Sequence, residues 1–295
     1  MATFKEKTLA AIIRWRAKSQ MAKYALRPST VPKVQFEERF VPTPVGDSRV
    51  LVYRPLRSSE GSLPVYVNFH GGGFILGSAE MDDVWCRVIA DRADCVVVNV
   101  DYRLAPEHPF PTALEEGYGV IRWMYDQPGQ LGINRERIAV GGHSAGGNLA
   151  AAICLLARER SEFPITLQIL DYPPLDLATD PYEKPTHPQA IPPWLAAIFN
   201  GCYLPSPEQA RNPLASPIYA ESLAGLPSAL IITAEFDSLA PEAERYAQRL
   251  REAGIAVSHK RYEGAVHGFT HSGPLELAED AWELIITHLQ QAFGK

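Results

Sequence analysis

A chain of 295 residues with 46% hydrophobic and 21% charged side chains has the composition of a globular protein and enough length for a large core. Its 28 basic and 34 acidic side chains leave a net charge of -6, which argues against a nucleic-acid partner, since that would want a basic face. The four cysteines, Cys86, Cys95, Cys154 and Cys202, lie far apart with no C-x-x-C pair, so they read as reduced thiols of a cytoplasmic protein, not as a disulfide frame or a zinc site.

The N-terminus has an apolar stretch of only five residues before Arg14, too short for a signal peptide, and no later segment reaches membrane-spanning length. Residues 1–27 carry seven basic side chains and one acidic, beside Leu9, Ile12, Ile13 and Trp15. That pattern predicts a basic amphipathic helix covering the protein's own surface, with contact to an anionic lipid surface as the alternative.

Two half-exposed antiparallel strands are expected over 34–40 and 49–55, where polar and apolar residues alternate. Short apolar runs then predict strands at 63–69, 95–100, 137–142, 165–170, 229–234 and 256–262. Helical stretches fall between most of them, at 81–92, 111–127, 145–160 and 239–253, with a last one at 276–292. Such alternation predicts an α/β fold, a mainly parallel sheet between helix layers, with the active site at the carboxyl ends of the strands.

The alternation breaks once, between Leu170 and Ala229, in a proline-rich segment whose one helix-like stretch is P-P-W-L-A-A-I-F-N-G-C-Y-L. Its i, i+4 pairs, Trp194 with Ile198 and Leu195 with Phe199, give an apolar face. An insertion of this length is more often a lid than a plain connector. The expected organisation is therefore a core of residues 43–176 and 218–295 under a small helical cap of residues 1–42 and 177–217. Phe74, Trp194, Ile198 and Phe199 are the candidate substrate contacts.

Gly142-His143-Ser144-Ala145-Gly146 matches G-x-S-x-G, follows the expected strand R-I-A-V and opens a small-residue helix. That is the strand-turn-helix setting of a nucleophile elbow, with Ser144 Oγ exposed at the sheet edge. His70-Gly71-Gly72-Gly73 follows the strand V-Y-V-N-F and bares its backbone N–H groups. Those of Gly72 and Gly73, with that of Ala145, are candidate donors to a developing oxyanion.

Of eight histidines, His143 is nearest to Ser144 in sequence, but neighbours at a tight turn project in different directions. His267, in E-G-A-V-H-G-F, and Asp237, in T-A-E-F-D-S-L, each follow a strand and so belong at the same end of the sheet as the elbow. Ser144, Asp237 and His267 are the expected nucleophile, acid and base, in the chain order of this architecture. Glu235 and Glu242 are the rival acids and His271 the rival base. No H-E-x-x-H occurs, and neither a metal nor a cofactor is expected.

These motifs resemble the hormone-sensitive-lipase-like family of α/β-hydrolase esterases, bacterial family IV. H-G-G-G-F at 70–74, D-Y-R-L-A-P-E-H-P-F-P at 101–111, S-A-G-G-N-L-A-A-A at 144–152, N-P-L-A-S-P at 212–217, L-I-I-T-A-E-F-D at 230–237 and Y-E-G-A-V-H-G-F at 262–269 all match its pattern. The resemblance, from about residue 45 to the C-terminus, implies a carboxylesterase acting on short to medium acyl esters. It also implies the same oxyanion donors and cap. The rivals are an amidase or arylformamidase with the same triad, and a lipase working at a lipid surface. The expected partner is a small-molecule ester, with homodimerisation left open.

Three departures accompany the resemblance. His143 stands where the family usually has aspartate, and Ser238 to Glu242 read S-L-A-P-E where the family tends to P-L-R-D-E. The N-terminal region is also shorter than in many members, which predicts a smaller cap and a more open pocket.

Overall fold

The computed structural model describes residues 7–15, 30–56 and 61–294. Its centre is an eight-stranded sheet, β1 (Val34–Val41), β2 (Ser48–Pro55), β3 (Leu63–Phe69), β4 (Val96–Val100), β5 (Ile133–His143), β6 (Leu167–Asp171), β7 (Ser228–Phe236) and β8 (Val257–Val266). Spatially the order is β1-β2-β4-β3-β5-β6-β7-β8, with β1, β2 and β4 joined antiparallel and all later pairs parallel.

Helix α1 covers residues 7–15, and α2 (Asp83–Arg92), α3 (Thr112–Asp126), α4 (Ala145–Arg160), α5 (Pro193–Tyr203), α6 (Ala240–Glu252), α7 (Phe269–Ser272) and α8 (Leu275–Ala292) follow. The central strands are buried along their whole length because helices cover both faces, so their sequences run apolar instead of alternating. Val65, Val67 and Phe69 of β3 point into one core with residues of α3, α4 and α6, whereas Tyr66 points into the other with α2 and α8. The outer strand β1 is the exception, with Phe36 and Phe40 exposed at either end of the charged run Glu37-Glu38-Arg39.

The expected strands and helices all form, with shifted ends. β5 starts at Ile133, where Leu63 pairs with it across an irregularity in the ladder. β8 runs four residues beyond the expected end, because a bulge opposite Ala234 and Phe236 absorbs the turn-like Gly264. The peptide of Gly264 is held by Glu235, whose Oε2 accepts its N–H at 2.6 Å. The single turn α7 was not legible in the sequence.

All four cysteines are buried thiols. Among the described residues no helix is long and apolar enough to cross a membrane. Of the basic N-terminal segment, residues 1–6 and 16–27 lie outside the described residues. In α1, Ala10 is buried in the core while Ile12 and Trp15 are exposed. Arg14 ties this helix to the core, donating from Nε to Ile75 O at 2.7 Å and pairing with the Glu107 carboxylate at 2.7 and 2.9 Å.

Candidate active site

β5 hands over to α4 at Ser144, whose backbone is held at φ 52° and ψ −120°. Such a conformation strains a non-glycine residue and persists where the surroundings over-determine it. Here the Ser144 N–H is fixed by Asp171 O at 2.8 Å, and α4 packs onto the end of β3 so closely that a Cβ at Gly146 would fall 1.8 Å from Phe69 O. Only glycine permits that approach.

Asp237 follows β7 directly and His267 follows β8 directly, so adjacent parallel strands deliver both side chains to the end of the sheet where Ser144 stands. His267 Nδ1 donates to Asp237 Oδ2 at 2.7 Å, and Ser144 Oγ lies 2.9 Å from His267 Nε2. The Asp237 side chain is fully buried, and its other oxygen accepts the Leu239 N–H at 3.0 Å. The Tyr172 ring meets His267 edge-on, with centroids 4.8 Å apart. Both distances fall within the reach that proton transfer requires.

The rivals are engaged elsewhere. Glu235 holds Gly264 as described, and Glu242 accepts the N–H groups of Leu175 and Asp176 and pairs with Lys184 at 2.5 Å. His271 Nδ1 lies 2.9 Å from Thr270 Oγ1, and its Nε2 lies 3.3 Å from Asp82 Oδ1.

A narrow cavity of about 40 Å³ opens beside Ser144. Gly73 and Phe74 line it from the H-G-G-G loop, Leu239 from the segment after β7, and Lys184, Ala196 and Phe199 from the 177–217 segment. Of the four expected substrate contacts, Phe74 and Phe199 therefore border the cavity. Trp194 is 52% exposed and faces solvent, and Ile198 packs against the core. The apolar face of α5 is thus divided among cavity, core and solvent. Phe199 sits against Gly73 beside this cavity: a Cβ on Gly73 would lie 2.5 Å from the Phe199 ring.

Ala145 is the first residue of α4, so its N–H is one of the helix-terminal donors without an intrahelical acceptor. It adjoins Ser144, and Gly73 borders the same cavity.

Behind the nucleophile lies a buried cluster that the sequence did not announce. Asp82 Oδ1 is 3.1 Å from His143 Nε2 and 3.3 Å from His271 Nε2, and Asp82 Oδ2 accepts from Asn68 Nδ2 at 2.7 Å. Burial opposes charge on Asp82, but His143 and His271 outweigh it and hold the carboxyl well below its ordinary range. Burial, reinforced by His271, lowers His143 to about 4 against the pull of Asp82.

These three residues offer ligand atoms within 4.8 Å of one another. The two imidazoles, however, are stacked with centroids 3.7 Å apart and planes inclined by 19°. Lone pairs in near-parallel planes do not converge on a point about 2 Å from both nitrogens, so the set does not form a zinc-type site.

A parallel sheet carrying a strained serine at a strand-to-helix turn, with histidine and aspartate at the next strand ends, defines an α/β hydrolase. A family profile described as alpha/beta hydrolase fold matches residues 66–271, and the chain belongs to that family, in its hormone-sensitive-lipase-like branch. It is 37% identical to an arylesterase of Saccharolobus solfataricus over 78% of this chain and 79% of that one. It is 34% identical to carboxylesterase NlhH of Mycobacterium tuberculosis, over 86% and 82%. Among solved structures, an esterase of Pyrobaculum calidifontis superposes with a TM-score of 0.84 at 38% identity, covering 97% of this chain and 93% of its own.

Proposed function

We propose that the protein is a carboxylesterase acting on esters of short to medium acyl chains through an acyl-enzyme. The observation that carries this reading is the unbroken path from Asp237 Oδ2 through His267 to Ser144 Oγ, with links of 2.7 and 2.9 Å. Its relatives include proteins named arylesterase and carboxylesterase.

Ser144 Oγ attacks the ester carbonyl carbon while His267 Nε2 takes its proton, and Asp237 fixes the Nδ1–H tautomer and stabilises the imidazolium. The carbonyl oxygen, now an anion, is met by the N–H groups of Gly72, Gly73 and Ala145. Collapse breaks the C–O bond, and His267 gives its proton to the departing alkoxide. Water then attacks the acyl-Ser144 carbonyl with His267 again as base, releasing the acid and restoring the serine. The narrow cavity favours the short end of the acyl range. Residues 177–217 act as the cap that screens these steps from bulk water, whereas Val34–Val41, expected in the cap, form the outer strand β1 of the core sheet.

A panel of p-nitrophenyl esters from acetate to palmitate, assayed beside a formanilide, tests this. The short esters are expected to turn over fastest, with palmitate and the anilide far slower. Absence of turnover on every substrate, together with a Ser144 that does not react with an organophosphonate, would sink the reading.

A further inference from the structure

His143, beside the nucleophile, does not touch the Ser144–His267–Asp237 path, yet it is tied to the loop that supplies the oxyanion donors. The Gly71 N–H donates to His143 Nε2 at 2.9 Å, and Gly71 is the residue that leads into Gly72 and Gly73. The imidazole is packed against that peptide so tightly that a Cβ on Gly71 would lie 2.6 Å from its Nδ1 and Cε1.

The Asp82 carboxylate faces the same atom, its Oδ1 lying 3.1 Å from Nε2, so Nε2 either donates to Asp82 or accepts the Gly71 N–H; with Gly71 as its partner, the ring proton is on Nδ1 and His143 is neutral. Stacking on His271 at 3.7 Å fixes the ring plane, and His271 is held in turn by Thr270 at 2.9 Å and by Tyr172 at 3.2 Å. Thr270 Oγ1 donates to Asp171 Oδ2 at 2.8 Å, and the Asp171 carbonyl anchors the Ser144 N–H. Thus one chain of contacts runs from the residue that fixes the elbow, through two stacked imidazoles, to the oxyanion loop.

We propose that His143 is a positioning residue for the oxyanion hole: as the Nδ1–H tautomer it accepts the Gly71 N–H and thereby sets the peptides that present the Gly72 and Gly73 donors. The inference rests on the esterase reading of the site. It assigns to this imidazole work that aspartate, with a shorter acceptor arm, would have to do from a different position.

The test compares His143→Ala with His143→Gln, whose side-chain oxygen reaches about as far as Nε2. Each is assayed on p-nitrophenyl acetate and titrated with a trifluoromethyl ketone, which forms a tetrahedral adduct on the serine. For His143→Ala, kcat is expected to fall about tenfold with KM within twofold, and the ketone to bind about tenfold more weakly. His143→Gln is expected to recover both to within about threefold of the parent.

An alanine variant with unchanged kcat and ketone affinity would overturn the inference, as would a folded glutamine variant no better than alanine. The parent protein supplies a readout that needs no variant: 15N NMR of the His143 ring is expected to show Nδ1 protonated, and a proton on Nε2 overturns the proposal. A parent that hydrolyses no ester instead removes the esterase reading, an outcome separate from an active parent indifferent to His143.

Discussion

Phe199 of α5 occupies the space a side chain on Gly73 would need: a Cβ there would lie 2.5 Å from the ring. The helix of the inserted segment and the loop of candidate oxyanion donors are therefore in direct contact, and a change on either side is felt by the other. Phe199→Ala is expected to enlarge the cavity and shift preference along the acyl series. The octanoate-to-acetate ratio of kcat/KM should rise roughly tenfold, a scale set by what one or two methylenes are worth in an apolar pocket. An unchanged ratio would mean that the acyl chain runs elsewhere.

Gly73→Ala acts from the opposite side. The residue sits at φ 60°, so a methyl group is strained by the backbone as well as driven into Phe199. Displacing one oxyanion donor typically costs a factor of about 10² to 10³ in kcat. A loss of that size with KM little altered is expected, and the double variant Gly73→Ala with Phe199→Ala should recover part of it. Full activity in the single variant would remove Gly73 from the set of donors.

For the triad, Ser144→Ala and His267→Ala are expected to reduce turnover to the residual level left by binding alone, and Asp237→Asn to lower kcat by about 10⁴-fold. Asp237 is fully buried against His267 Nδ1, so asparagine keeps the packing and reverses the tautomer instead. An asparagine variant that retains most activity would point to a different orienting group.

Ser144 was legible because a nucleophile elbow is written in consecutive residues, and Asp237 and His267 because strand ends in a parallel sheet converge on one edge. The cluster behind them was not. Asp82 and His143 are 61 positions apart in the chain, and Arg14 meets Glu107 across 93 positions, with no local pattern to announce either contact. Trp194 shows the limit of a helical repeat: the i, i+4 pairing on α5 gave an apolar face but could not say which part of it meets the cavity. The same holds for Lys184, a single lysine in a proline-rich segment whose partner Glu242 lies 58 positions on.

That pair fastens the inserted segment to the start of α6. Lys184 Nζ lies 2.5 Å from Glu242 Oε2 and 2.7 Å from Asp176 O, and the two side chains are only 9% and 7% exposed. Burial raises Glu242 to about 7 even beside Lys184, so in Lys184→Ala its carboxyl takes up a proton near neutrality, and losing the buried pair is expected to cost about 3 kcal/mol. In a domain of this size, a melting temperature roughly 10 °C lower is expected, measured by circular dichroism. KM for short esters should rise as well, because Lys184 borders the cavity. A melting temperature within a degree or two of the parent would show that the segment is held by its apolar contacts instead.

The pH dependence of stability tests the buried state of His143 independently of catalysis. Burial lowers this imidazole from 6.5 to about 4, so between those values the unfolded chain takes up a proton that the folded chain refuses. Bound protons are then more numerous in the unfolded state, and stability rises with pH there by up to about 1.4 kcal/mol per pH unit. The contribution is complete above pH 6.5 and is lost as the pH falls towards 4. His70, also buried and lowered for the same reason, acts in the same direction but is present in both proteins when His143→Gln is compared with the parent. Urea unfolding from pH 8 down to pH 4 should therefore show two curves that run together above neutrality and separate below it, the parent losing stability faster than the glutamine variant. Parallel curves throughout would mean that folding leaves the His143 pKa unchanged, and a parent that gains stability over the variant as the pH falls would mean a cationic ring, which could not accept the Gly71 N–H.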